Sequence, residues 1–172
     1  MIDPAVTAPF LAATVTLGGA GAAKLLKPED TAGALRAAGL PLGRGAVRVG
    51  AVAEVVVAAA AVVWPGPLTG SLVAASYAAF SVFVIVALRK GWPLASCGCF
   101  GRPDTRPTAA HAALDAAAAG GAIWWAITAP ATMGPVFSHA PWAGGPLVLV
   151  TLLIAGLAYL IWTNPIASGA LK

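Results

Sequence analysis

The sequence has very little charge, and this excludes the commonest class of protein. Only 9% of its 172 residues are Asp, Glu, Lys or Arg, whereas 59% are hydrophobic. A soluble domain carries roughly 25% charged residues, so these few charges cannot cover the surface of a water-soluble globule. Disorder is excluded as well, because it needs low hydrophobicity and high net charge. The composition therefore predicts an integral membrane protein surrounded by the lipid bilayer.

Cysteine is scarce too. The chain has two cysteines, Cys97 and Cys99, and two thiols one residue apart cannot form the disulfide framework of a small secreted fold.

The ten basic residues lie in short segments between apolar runs and form no stripe or arm. We therefore expect no nucleic-acid partner. The first residues, 1–4, include no basic residue, so we expect no cleaved signal peptide.

Long apolar runs predict five membrane-spanning helices in one domain. A helical span needs about 20 predominantly apolar residues, and polar loops or Pro/Gly-rich turns separate runs of that length. We therefore predict an all-α membrane helical bundle, with a four-helix core and a fifth helix. The predicted spans are residues 5–24, 46–64, 69–88, 107–128 and 146–163.

The end of the first predicted span is rich in small residues, which predict a close approach to a neighbouring helix. These residues are Gly18, Gly19, Gly21 and Ala22. We interpret Lys24, which follows them, as an anchor at the membrane interface. In the polar loop beyond it, we expect a short surface helix over residues 30–36, with Asp30 or Thr31 as its cap.

The basic residues predict the orientation. Nine of the ten Lys and Arg residues lie in the loops between the first and second spans and between the third and fourth spans, or at the span ends beside them. The other two loops hold none. Loops rich in Lys and Arg stay in the cytoplasm. We therefore expect a multi-pass protein of the cytoplasmic membrane of a prokaryote. Its N-terminus would lie outside, and its cysteine loop and C-terminus in the cytoplasm.

The segment from Ser96 to Gly101, Ser-Cys-Gly-Cys-Phe-Gly, is the most informative one. Cys97 and Cys99 can close a small disulfide ring only if the backbone bends tightly, and Gly98 allows such a bend. Strained disulfides are labile and suit thiol exchange, and nearby basic residues favour the reactive thiolate. The pattern predicts a redox pair. Two alternatives stay open: plain packing under a loop, or a zinc site that His111 and Asp115 would complete.

Ionisable residues within the predicted spans are the second signal, because each is costly in hydrocarbon. Glu54 lies about eight residues into its span, and His111 and Asp115 lie about four and eight residues into theirs, all counted from the cytoplasmic end. We expect them to meet beneath the cysteine loop, near Ser81, with the two carboxylates close enough to share a proton. In the alternative, they only hold helices together, and His111 extends to the interface.

Several of these residues carry a resemblance to a known family. The Cys-Gly-Cys-Phe-Gly motif at 97–101, the Gly-Ala-Ala-Lys at 21–24, the Leu-Pro at 40–41 and Glu54 make the chain similar to the MauE/DoxX-like family over about residues 5–129. The resemblance implies a membrane partner of thiol–disulfide chemistry. It also implies methylamine utilisation, through maturation of a disulfide-rich dehydrogenase subunit beside a thioredoxin-like protein. The family's Arg-Asn pair early in span four is replaced here by His111 and Asp115.

The leading hypothesis is a membrane thiol–disulfide redox protein, which would act as an oxidoreductase. In it, Cys97 and Cys99 exchange electrons with a thioredoxin-like thiol partner or with a membrane quinone. Glu54, His111 and Asp115 would handle the accompanying protons. Two other classes stay open: a non-enzymatic membrane assembly factor or scaffold, and a small proton-coupled transporter.

Overall fold

A computed structural model describes residues 4–92, 107–128 and 141–163, which form six α-helices. The helices are α1 (Pro4–Leu26), α2 (Pro28–Ala37), α3 (Arg44–Val63), α4 (Pro67–Lys90), α5 (Ala109–Thr128) and α6 (Pro141–Thr163). Four of them, α1, α3, α4 and α6, are long and apolar enough to cross a membrane. The predicted all-α membrane bundle is confirmed.

Helices α1, α3, α4 and α5 begin and end within two residues of the predicted spans. Helix α5 has 20 residues but is not among the four helices found apolar enough to cross a membrane, because it carries His111 and Asp115. That it crosses the membrane stays a prediction. Helix α6 begins at Pro141, five residues earlier than expected, and includes Pro146. Membrane helices tolerate such an internal proline because neighbouring groups satisfy the freed carbonyl.

Helix α2 differs from its prediction at its start. It begins at Pro28, and Lys27 is the one residue between it and α1. No side chain caps its first turn. Proline is favoured at the first helical position, where its missing N–H costs no hydrogen bond. Glu29 and Asp30 lie in the first turn, where carboxylates stabilise the positive end of a helix. The predicted cap at Asp30 or Thr31 is therefore wrong.

Helix α1 is the central helix of the bundle. It packs against α3, α5 and α6, and also contacts α2 and α4, while α4 and α5 pack along each other. The core around its N-terminal half is aromatic: Phe10 is buried and stacks on Trp125 of α5, with ring centroids 4.7 Å apart. The other faces of the bundle expose apolar side chains such as Val49, Leu68 and Ile127. Such faces suit contact with lipid.

Glycine sets the distance between α1 and α3. A Cβ atom at Gly21 would lie 2.8 Å from the carbonyl oxygen of Ala51, and one at Gly18 would lie 3.2 Å from the Cβ of Ala58. At Gly19 a Cβ would meet nothing within 4 Å. The predicted small-residue face is confirmed for Gly18 and Gly21, and Gly19 does not belong to it. Lys24 follows Gly21 by one helical turn and so lies on the same face.

Candidate functional site

Lys24 and Glu54 form a buried ion pair. The Lys24 Nζ atom donates hydrogen bonds to both carboxylate oxygens of Glu54, at 2.6 and 2.8 Å. The two side chains are only 6% and 12% exposed, and the Phe80 ring centroid lies 4.4 Å from Nζ, which is a cation–π distance. The interpretation of Lys24 as a simple interface anchor is therefore wrong. It neutralises the carboxylate of the neighbouring helix.

This ion pair changes the expected role of Glu54. Its two oxygens both accept from Lys24 of α1, whereas the sequence predicted a carboxylate that shares a proton with Asp115. Lys24 is thus a partner of Glu54 that the sequence analysis did not expect, and the sharing of a proton with Asp115 stays a prediction. Glu54 lies ten residues after the start of α3, but depth along a helix does not determine which neighbour a side chain faces. Helix α1 packs against both α3 and α5, and Glu54 faces α1.

His111 is buried and helps to begin α5. Its Nδ1 atom accepts a hydrogen bond from the backbone N–H of Thr108 at 3.2 Å and lies 2.7 Å from the Thr108 hydroxyl. Thr108 precedes the first residue of α5, so this is the geometry in which a residue at the third helical position bonds back to the N-cap. With 4% exposure, His111 does not extend to the interface. Because Nδ1 is an acceptor, a neutral ring carries its proton on Nε2.

Asp115 lies one turn beyond His111 on α5 and is 2% exposed. Ser81 of α4 is also buried, and its hydroxyl donates to the carbonyl oxygen of Ala112 at 3.0 Å. The expected approach of Ser81 to the His111–Asp115 turn is therefore present. Tyr77, one turn earlier on α4, instead donates its hydroxyl to the carbonyl oxygen of Ala13 on α1 at 2.7 Å.

Glu54 lies near the middle of α3, whereas Lys24, His111 and Asp115 lie toward one end of the bundle, which we call the loop end. It is the end at which α1 and α4 finish and α3 and α5 start. Lys24 is two residues from the end of α1, while Glu54 and Asp115 lie about 15 and 9 Å along α3 and α5 from their starts. The connection from α4 to α5 leaves from the loop end. It carries Cys97 and Cys99, which lie outside the described residues.

A cavity of about 260 Å³ adjoins the ion pair. Its walls come from α1, α2, α3 and α4 and are mostly apolar, and Lys24 and Glu54 form a polar patch on one wall. Leu35, Val47 and Phe83 are among the apolar side chains that line it. We call it the ion-pair cavity.

The zinc alternative depends on residues that the structure does not describe. Within residues 4–92, 107–128 and 141–163, no three His, Cys, Asp or Glu side chains lie close enough together to hold a metal ion. The site considered from the sequence combined His111 and Asp115 with Cys97 and Cys99, so it stays open.

The part of the chain that forms α1 to α5 also matches a known protein family. A family model described as "Methylamine utilisation protein MauE" matches residues 3–128. The chain belongs to the MauE family. The predicted resemblance is thereby confirmed, and the match includes α1 to α5 and leaves α6 outside. Neither curated proteins nor solved structures gave a match.

Two features of the site were missed from the sequence: the burial of Lys24 and the bond from His111 to Thr108. A signal existed for the first. A buried carboxylate needs a partner, and Lys24 is one turn after Gly21, the residue that brings α1 against α3. For His111, the signal was a threonine three residues earlier at the start of an alanine-rich helix, which is a capping pattern.

Proposed function

We propose that this MauE-family protein is a membrane thiol–disulfide redox protein in which Cys97 and Cys99 cycle between dithiol and disulfide. One observation carries the proposal. Four ionisable side chains are buried or nearly buried in the bundle, those of Lys24, Glu54, His111 and Asp115. The cysteine loop joins the bundle at the end toward which Lys24, His111 and Asp115 lie. Ionisable groups inside a membrane are costly and mark functional sites.

The chemistry requires two thiols and a way to move protons. One cysteine thiolate attacks a partner disulfide, and the other thiol resolves the mixed disulfide. Oxidation of the dithiol releases two protons. The carboxylate of Asp115 would take and return these protons one at a time. His111, at position i−4 on the same face of α5, would donate its Nε2–H to the site. Glu54 would act together with Lys24, as a neutral pair that holds α1 and α3 in register beside the site.

The proposed partner is a thioredoxin-like protein, and the proposed biological role is the maturation of a disulfide-containing protein. Methylamine utilisation is the role that the family description names. We place the cysteine loop in the cytoplasm and the N-terminus outside, because the basic residues gather in the loops on that side. The exchange would then use a thiol partner in the cytoplasm or an electron acceptor in the membrane.

Acid quenching of growing cells followed by alkylation tests this function. We expect wild-type protein to show a mixture of free and disulfide-bonded thiols. The free fraction should rise when reductant is added to the culture. A Cys99→Ser variant should accumulate a mixed disulfide between Cys97 and a partner, because the resolving thiol is gone. A variant without either cysteine that still supports the cellular function would overturn the proposal.

The second candidate is a non-enzymatic assembly factor. Two contacts favour it. The ion pair can serve only to join α1 to α3, and the bond between Thr108 and His111 can serve only to begin α5. The cysteine-free variant separates the two functions: an assembly factor tolerates the loss of both thiols, whereas a redox protein does not.

A further inference from the structure

We infer that the ion-pair cavity binds the ring of a membrane quinone. This inference rests on the proposed function, because the quinone would be the electron acceptor for the Cys97–Cys99 dithiol. The binding itself depends only on residues of α1 to α4, and it can therefore be tested apart from the thiols.

The size of the cavity fits a substituted ring. Its volume is about 260 Å³, whereas an apolar cavity of about 150 Å³ inside a protein is enough to bind benzene. The ion-pair cavity thus has room for a six-membered ring together with its carbonyl oxygens and small substituents. Phe80 and Phe83 contribute aromatic rings to its walls, which pack favourably against a flat ring.

The polar patch selects for a neutral carbonyl compound. An ammonium group has three N–H donors, and Glu54 takes two of those of Lys24. The third N–H can bind a carbonyl oxygen, which is the polar group of a quinone. A ligand with a net charge would be disfavoured, because the Lys24–Glu54 pair is neutral overall and the other walls are mostly apolar.

The position of the cavity agrees with this role. Phe83 contacts Trp92, with ring centroids 6.1 Å apart, and Trp92 is the last described residue before the cysteine loop. The reaction balances as follows. The two S–H bonds of Cys97 and Cys99 break and one S–S bond forms, while the two quinone oxygens gain two electrons and two protons and become the hydroquinone hydroxyls.

Binding is tested with ubiquinone-1, a short-tailed benzoquinone, and purified protein in lipid nanodiscs, with empty nanodiscs as the blank for partitioning. Gly50 lines the cavity, and a Cβ there would meet nothing within 4 Å. Gly50→Leu should therefore fill the cavity without forcing helices apart. The matched control is Gly45→Leu on the same helix, where a Cβ also meets nothing and which is not part of the cavity wall.

We expect saturable binding to the wild type, an affinity at least tenfold weaker in Gly50→Leu, and an affinity within about twofold of wild type in Gly45→Leu. Equal affinities in all three proteins, or no binding above the nanodisc blank, would overturn the inference. Lys24→Met/Glu54→Met, which removes both charges together, should also weaken binding at least tenfold while the helical circular dichroism is kept. Unchanged binding in this double variant would contradict the role of the polar patch.

A parallel thiol measurement separates the two hypotheses. Thiols that cycle with glutathione in a protein that does not bind ubiquinone-1 would overturn the cavity assignment and leave the proposed function standing. Saturable binding of ubiquinone-1 by a protein whose thiols are inert would overturn the proposed function and leave the cavity assignment standing. Formation of one hydroquinone for each disulfide, lost in Gly50→Leu and kept in Gly45→Leu, would support both.

Discussion

Removing the cation of the ion pair should destabilise the protein strongly. In a Lys24→Met variant, the Glu54 carboxylate would remain among apolar neighbours and lose both of its hydrogen bonds, which are 2.6 and 2.8 Å long. Breaking a buried ion pair from one side costs about 3–5 kcal/mol. Because the side chains are 6% and 12% exposed, water can replace little of what is lost. We therefore expect the free energy of unfolding to fall by about 3 kcal/mol or more.

The complementary variants make this prediction specific. Glu54→Met leaves the Lys24 ammonium buried and should cost a comparable amount. The double variant, Lys24→Met/Glu54→Met, removes both charges, and such replacements are often neutral or stabilising. It should therefore be more stable than either single variant. The coupling energy of this double-mutant cycle should be at least about 3 kcal/mol.

The assay is reversible unfolding in mixed micelles, with increasing sodium dodecyl sulfate and helical circular dichroism as the signal. The matched control is the pair between Arg44 and Glu29, which is 3.5 Å long and whose side chains are 67% and 49% exposed. Arg44→Met should cost at most about 1 kcal/mol, as exposed pairs do. Two results together would show that the ion pair does not stabilise the bundle. Lys24→Met would cost no more than Arg44→Met, and the effects of Lys24→Met and Glu54→Met would add up to that of the double variant.

Gly21→Ala should destabilise the bundle by about 1–3 kcal/mol, because its Cβ would overlap α3. Gly19→Ala, with open space around its Cβ, should be neutral or slightly stabilising in the same unfolding assay. His111→Gln keeps a capping side chain, so it should preserve stability but slow thiol exchange; an unchanged exchange rate would make His111 purely structural. A membrane-impermeant maleimide should label Cys97 and Cys99 only in permeabilised cells, and rapid labelling of intact cells would reverse the predicted orientation.

Much of the fold could be predicted because the limits of a membrane helix follow from where polar residues begin. The first basic residue, Lys24, sets the predicted end of the first span, and the second span is predicted to start at residue 46. Both limits agree to within two residues with the end of α1 at Leu26 and the start of α3 at Arg44. The start of α6 was missed because prolines at 141 and 146 argue against a helix in water, whereas a membrane helix tolerates them.

The site was predictable only in part. The sequence indicated that Asp115 and His111 lie toward the loop end, because depth follows from residue counting along a helix, whereas Glu54 lies near the middle of α3. It did not indicate their neighbours, because these depend on which helix faces meet. Helix α2 illustrates the limit: it contacts α1 and α3, and its residue Leu35 lines the cavity beside Lys24. No periodicity in the sequence predicts that arrangement.

The redox state of the two thiols in defined glutathione buffers tests the central claim most directly. Purified protein in nanodiscs is equilibrated at increasing ratios of oxidised to reduced glutathione, quenched with acid, alkylated and weighed by mass spectrometry. We expect Cys97 and Cys99 to lose their free thiols together in one reversible two-electron transition, at a potential more oxidising than that of structural disulfides. A Cys99→Ser control should form only a mixed disulfide with glutathione. If both thiols stay free even in fully oxidised buffer, the protein is not a thiol–disulfide redox protein.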